Sequence, residues 1–153
     1  MIDMHFTDYE DLYFAILDIT AGPGDDAQFD SLPGSAQAMY IAAMFDMEVQ
    51  NGGLCQFFVN CGSPYAERVA DSLKAIGLEP MGILYQSFLS DNQIDLADLS
   101  SFQSDTAEDF AAQYGRYPFN NFDSAYMDLW EKPDFNNAML RYANNHPEAF
   151  AQP

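Results

Sequence analysis

The chain has 153 residues, 48% of them apolar and 15% aromatic, and a net charge of −19 from 24 carboxylates against five basic side chains. Apolar content of this order builds a core and excludes an acidic disordered segment, because disorder needs high charge together with low hydrophobicity. The charge repels nucleic acid, phosphate-rich ligands and anionic membrane surfaces, and it attracts basic proteins, of which DNA- and RNA-binding proteins are the commonest.

The elements read as helices throughout. Tyr9, Leu12, Tyr13, Ile16 and Leu17 form one apolar stripe at i, i+3, i+4, i+7, i+8. Thr7 with Glu10 three residues on reads as a capping box, and Gly22-Pro23-Gly24 as the stop. Asp8, Asp11, Ala15 and Asp18 fall on another stripe of that helix, so it shows carboxylates to water. About residues 36–50 the chain is apolar on nearly every side (Met39, Tyr40, Ile41, Met44, Phe45, Met47), which marks a helix at the centre of the fold. Ser63-Pro64 starts a further helix through Tyr65, Val69, Leu73 and Ile76, with Gly77 just past its end. The five-position stripe returns in Met81–Leu89, in Phe122–Trp130 and in Phe135–Ala143. Two short helices are expected around Leu96–Phe102 and Ala107–Tyr114. No segment alternates with a period of two, so the expected fold is a single all-α domain over residues 1–153, with seven to nine helices.

No apolar run approaches the ~20 residues of a membrane span, and the N-terminal residues lack the pattern of a signal peptide, so a cytoplasmic location is the expectation. Cys55 and Cys61 are six apart on one helical segment, roughly 9 Å along the axis, too far for a disulfide and not spaced as a zinc pair. Both are expected to be buried free thiols.

Residues 48–60 hold the densest polar signal. Asn51-Gly52-Gly53 can end the central helix and turn the chain, since Asn and Gly tolerate positive φ. On the helix that follows, Gln56 and Asn60 share a face, Phe57 lies among its apolar residues, and Glu48 sits one turn before the break. These groups can satisfy the loose backbone donors and acceptors at a helix junction, or they can line a small polar pocket. The structural reading is preferred, because Glu48 is the one tunable acid in the cluster.

The string Glu48-x-x-Asn51-Gly52-Gly53-x-x-Gln56-Phe57-Phe58-x-Asn60 resembles the central motif of a family of small acidic bacterial proteins named for a DNA-mimic member. The helix from Ala66 to Gly77 and the close Leu140-Arg141-Tyr142-x-x-x-Asn145-x-Pro147-Glu148-x-Phe150 extend the resemblance from about the first helix to Phe150. It implies an all-α fold and, for some members, carboxylates that imitate duplex phosphates and block a DNA-binding protein.

The charge count is of the right order for such mimicry. A domain of this length has a radius of gyration near ~15 Å and a diameter of roughly 38 Å. A duplex of that length holds about 22 charges at one per ~1.7 Å. Clustering is visible as well: Asp91, Asp95 and Asp98 follow at i, i+4, i+7, and Asp105, Glu108 and Asp109 come after them with no basic residue between. Asp25, Asp26 and Asp30 form a third group after the first helix. The bland reading of such runs is a solvated face that keeps the protein soluble.

Other chemistry is weak. The chain has no phosphate-binding glycine loop, no dinucleotide fingerprint and no histidine pair for zinc, and Asp91–Asp95 lacks the later residues of a calcium loop. No catalytic residue, cofactor or metal is expected. The aromatic stripes lack interleaved basic residues, so direct nucleic-acid binding is not expected either. The expectation is a non-enzymatic protein, monomer or homodimer, that binds a basic and DNA-binding partner through its carboxylates. The alternatives are an immunity or antitoxin protein that plugs a basic nuclease, and a small-molecule-binding protein or enzyme with its pocket at Glu48, Asn51, Gln56 and Asn60.

Overall fold

The computed structural model describes residues 5–21, 29–60, 65–131 and 135–151. Seven α-helices and three short 3-10 turns occur among them, with no strand: α1 Tyr9–Ala21, α2 Gly34–Asn60, α3 Val69–Ile76, α4 Glu79–Asp91, α5 Ala107–Arg116, α6 Phe119–Glu131 and α7 Phe135–Asn145. The 3-10 turns are Ala66–Arg68, Ser100–Phe102 and Pro147–Phe150. The all-α fold is as expected from the helical stripes.

α2 is the axis around which the rest is built. Helices α1, α3, α6 and α7 and the last 3-10 turn all pack on it, and α3 pairs closely with α4. Its first limb is buried on nearly every side, from Ser35 and Ala36 through Met39, Ile41 and Phe45 to Val49. At the centre Phe45 meets Phe57, Tyr85 and Tyr126 edge-on, with ring centroids 5.0, 5.2 and 5.7 Å away. Edge-to-face packing adds roughly 0.5–1.5 kcal/mol per pair beyond the area buried.

The chain bends where the sequence indicates. Gly52 (φ −152°, ψ 15°) and Gly53 (φ 81°, ψ 178°) leave helical geometry, and α2 resumes as a second limb to Asn60. Gly53 sits in a backbone region open in practice only to glycine. Gly77, with φ 96°, closes α3, and the amides of Gly77 and Leu78 return to the Lys74 and Leu73 carbonyls.

Three local expectations need correction. The cap of α1 is Asp8, not Thr7: its carboxylate accepts the Glu10 and Asp11 amides at 2.9 and 3.2 Å. A carboxylate serves there better than a hydroxyl because it also meets the positive end of the helix dipole. Next, the i, i+4, i+7 spacing of Asp91, Asp95 and Asp98 is not realised on one helix. α4 ends at Asp91, where Gln93 takes a positive φ of 53° and the Gln93 and Ile94 amides bond back to Ser90 and Leu89. Finally, the helix expected around Leu96–Phe102 is only the 3-10 turn Ser100–Phe102, because the Asp95 and Asp98 side chains bond the amides two residues on and hold turns. Cys55 is buried and free, and burial pushes its thiol up to about 11. Gly22–Asp26, Cys61 and Ser63-Pro64 lie outside the described residues.

Candidate protein-interaction surface

Every described carboxylate is exposed except Asp46, Glu48 and Asp123. Asp11 and Asp18 project from α1, and Asp8 caps it. Asp91 closes α4, Asp95 and Asp98 stand in the turns that follow, Asp105 precedes α5, and Glu108 and Asp109 form its first turn. The Ser100 hydroxyl and amide, at 2.6 and 3.1 Å, hold the Asp98 carboxyl below its ordinary range. Asp30 faces Arg68 at 3.6 Å, and the Arg68 guanidinium also donates to the Gln37 side-chain oxygen and lies over the Phe29 ring. Lys74 bonds Gln86. Asp25 and Asp26 lie outside the described residues.

These acids form two groups on different parts of α2. The α1 group lies beside the first limb, which α1 packs against. The 91–109 group is tied to the second limb through Phe102, whose ring lies 4.9 Å from that of Phe58. Among the described residues no three Asp, Glu, His or Cys side chains converge in metal-binding geometry. No described helix is long and apolar enough to cross a membrane.

Two of the three inner carboxylates, Glu48 and Asp123, hold the bend, and Asp46 ties the first limb to α6. Glu48 accepts from Gln56 at 2.8 Å and from Asn60 at 3.2 Å, which links the limbs across the glycines. A Cβ on Gly52 would lie 1.9 Å from the Gln56 amide oxygen. Asp123 reaches across from α6 and accepts the Leu54 amide at 2.9 Å, so it caps the second limb from a distant part of the chain. A Cβ on Gly53 would lie 2.3 Å from an Asp123 carboxylate oxygen. Asp46 accepts the Tyr126 hydroxyl at 2.7 Å and the Gln50 amide at 2.9 Å. Burial raises both Asp46 and Asp123 above the ordinary carboxylate range, against the pull of their hydrogen bonds. Tyr126 is raised as well, by burial first and then by the Asp46 charge.

Sequence reasoning missed Asp46 and Asp123. A signal for Asp46 was present, since it is an acid inside a stretch apolar all round. Asp123 carried a fainter one, one residue after Phe122 and three before Tyr126 on the apolar stripe of its helix.

Neither of the two best-formed hollows is lined by Glu48, Asn51, Gln56 and Asn60 together. Asn51 is exposed at the edge of an open groove of ≈ 530 Å³ between α1 and α2. Asn60 lines a smaller hollow of ≈ 260 Å³ with Phe58 and the 97–103 turn, and neither hollow is lined by Glu48 or Gln56.

The family model described as DMP19-like protein matches residues 30–146, about three quarters of the chain, and the chain belongs to that family. The matched span takes in residues 48–60 and begins after α1, later than the resemblance led us to expect. No curated protein and no solved structure matches the chain significantly.

Proposed function

We propose that this DMP19-like chain is a non-enzymatic DNA mimic that binds a basic, DNA-binding protein through its outer carboxylates. The observation that carries the reading is the imbalance of charge in solvent: every described acid but Asp46, Glu48 and Asp123 is exposed, against four described cations, of which Arg68 and Lys74 bond the protein's own side chains and Arg116 and Arg141 are exposed. A partner's Lys/Arg-lined DNA site would meet fixed carboxylates, which gives fast, steered and salt-sensitive association. Family membership supports mimicry as the mode. The bend at Gly52–Gly53 serves the same end by fixing the angle between the two limbs, and with it the spacing of the two acidic groups.

The test is capture on immobilised protein from a nuclease-treated lysate of the native host, with elution at ~0.5 M salt, where exposed charges are screened. The expected result is one predominant DNA-binding protein that duplex DNA displaces and that the triple variant Asp18→Lys, Asp91→Lys, Asp105→Lys fails to capture. A broad mixture of basic proteins, or capture indifferent to the triple variant, overturns the reading.

A further inference from the structure

The groove between α1 and α2 has features that a plain acidic coat does not need. Its walls are Tyr9, Glu10 and Tyr13 from α1 and Ala43, Asp46, Met47, Gln50 and Asn51 from α2, and its volume of ≈ 530 Å³ lies within the usual range of ligand sites, ~300–1,000 Å³. Asp46 forms part of this lining, yet it is only 6% exposed, and among the described residues no basic side chain pairs with it. Its oxygens accept from Tyr126 and Gln50, the buried Trp130 indole N–H faces the same carboxylate as a third donor, and one acceptor position is left. Glu10 is exposed at the rim. The Tyr9 and Tyr13 rings stand 6.3 Å apart, and the Tyr13 hydroxyl donates to the Met47 sulfur at 3.2 Å, which ties one helix to the other.

A buried carboxylate without a counter-charge is costly, and a cation removes the cost. Aromatic faces beside it select an organic cation over a hydrated metal ion. Among biological cations the guanidinium fits best, being planar, weakly hydrated and able to stack on a ring while its N–H groups reach a carboxylate. We propose that this groove is an arginine-binding site, in which a guanidinium lies against Asp46 beside the tyrosine rings with Glu10 at the mouth. That the arginine belongs to the basic partner rests on the function proposed above. The affinity of the groove for a guanidinium does not. The outer carboxylates then steer the encounter, and one desolvated arginine anchors it, the division of labour common at protein interfaces. Tyr9, Glu10 and Tyr13 precede the span shared with the family, so the groove is completed by residues beyond it.

The test uses N-acetyl-arginine methylamide as the probe and the neutral N-acetyl-citrulline methylamide as its isosteric control, followed by NMR on the full chain. The arginine probe is expected to shift resonances of residues 9–13 and 43–51 saturably at millimolar concentration, and the citrulline probe to bind at least tenfold more weakly. Asp46→Asn should weaken the arginine probe at least tenfold. Met47→Lys, at an exposed position, should abolish binding by placing an ammonium in the mouth, with the helical circular dichroism unchanged. Equal binding of the two probes, shifts outside the groove, or affinity unchanged in Met47→Lys overturns the site. If Met47→Lys still captures the partner that the surface triple variant loses, the partner's arginine does not sit here and the surface reading stands. If the arginine probe binds and no partner is captured, the groove stands and the surface reading falls.

Discussion

The same residue type has two fates in this protein. The outer carboxylates, such as Asp18, Asp91 and Asp105, stand in solvent and hold nothing in place, whereas Asp46 and Asp123 join segments far apart in the chain and Glu48 joins the two limbs of α2. Between them lies a third set, Asp8, Asp95 and Asp98, which are exposed yet fix a helix start and two turns. The difference teaches that the net charge of −19 is not one property. One part is free to act on a partner, and another is a cost of architecture, accepted because the bend in α2 needs acceptors, which Glu48 supplies from α2 itself and Asp123 from α6.

That contrast breaks most visibly at the glycines. Gly53→Ala should destabilise by about 3 kcal/mol, from a disfavoured backbone region together with displacement of Asp123 from the Leu54 amide. Gly52→Ala should cost less, about 1–2 kcal/mol, because its φ is ordinary and the two closest clashes are with the movable amide end of Gln56, with the Gln56 Cβ at 2.9 Å left to give by a small shift. Urea unfolding of the two variants gives the order, and equal losses would show that the geometry of Gly53 is not what matters.

Asp123 itself separates hydrogen bonding from charge. Asp123→Ala leaves the buried Leu54 amide without its acceptor, at a cost of about 1–3 kcal/mol. Asp123→Asn keeps an acceptor and removes a carboxylate that burial disfavours, so its stability should stay within about 1 kcal/mol of the native chain. A loss in Asn as large as in Ala would mean that the charge, not the cap, holds the bend.

The dependence on pH sharpens the inner–outer division further. Asp46 and Asp123 have raised pKa values in the fold, so the folded state binds protons more readily than the unfolded chain. Stability therefore falls as pH rises through the interval between their ordinary range and their raised values. Asp98 is lowered and works in the opposite sense, with its contribution lost as pH falls through its folded value, but it is fully exposed and weighs little. The melting temperature is expected to rise on going from about pH 8 to about pH 5, helped by the relief of self-repulsion. Asp46→Asn combined with Asp123→Asn should flatten that slope. A melting temperature that climbs steadily towards pH 8 would overturn the assignment.

The smallest effect on stability belongs to the outer set. Asp18→Lys, Asp91→Lys and Asp105→Lys should each change it by no more than about 0.5 kcal/mol, and Asp91→Lys should be neutral or favourable because it places a cation at the end of α4. Calorimetry that finds a cooperative loss in the triple variant would show these acids to be structural after all.

The helices were legible because their signals are local. The stripe of α4, the left-handed Gly77 and the break at Asn51-Gly52-Gly53 are written in neighbouring residues, and the structure follows them. The acidic run 91–98 misled for the same reason. Its spacing fits a helix, but the Asp95 and Asp98 side chains bond the amides just ahead of them and hold turns, in competition with the helix expected around Leu96–Phe102.

The sequence by itself determined the all-α class, the central apolar helix, its bend and the excess of negative charge, since periodicity, glycine conformation and composition act within a turn or two of the chain. Only the tertiary structure decided which acids are interior. Asp123 meets Leu54 across 69 positions and Tyr126 meets Asp46 across 80, and the groove exists only because α1 lies along α2. Such partners are chosen by the packing of apolar faces, which brings helices together without regard to the distance between them along the chain.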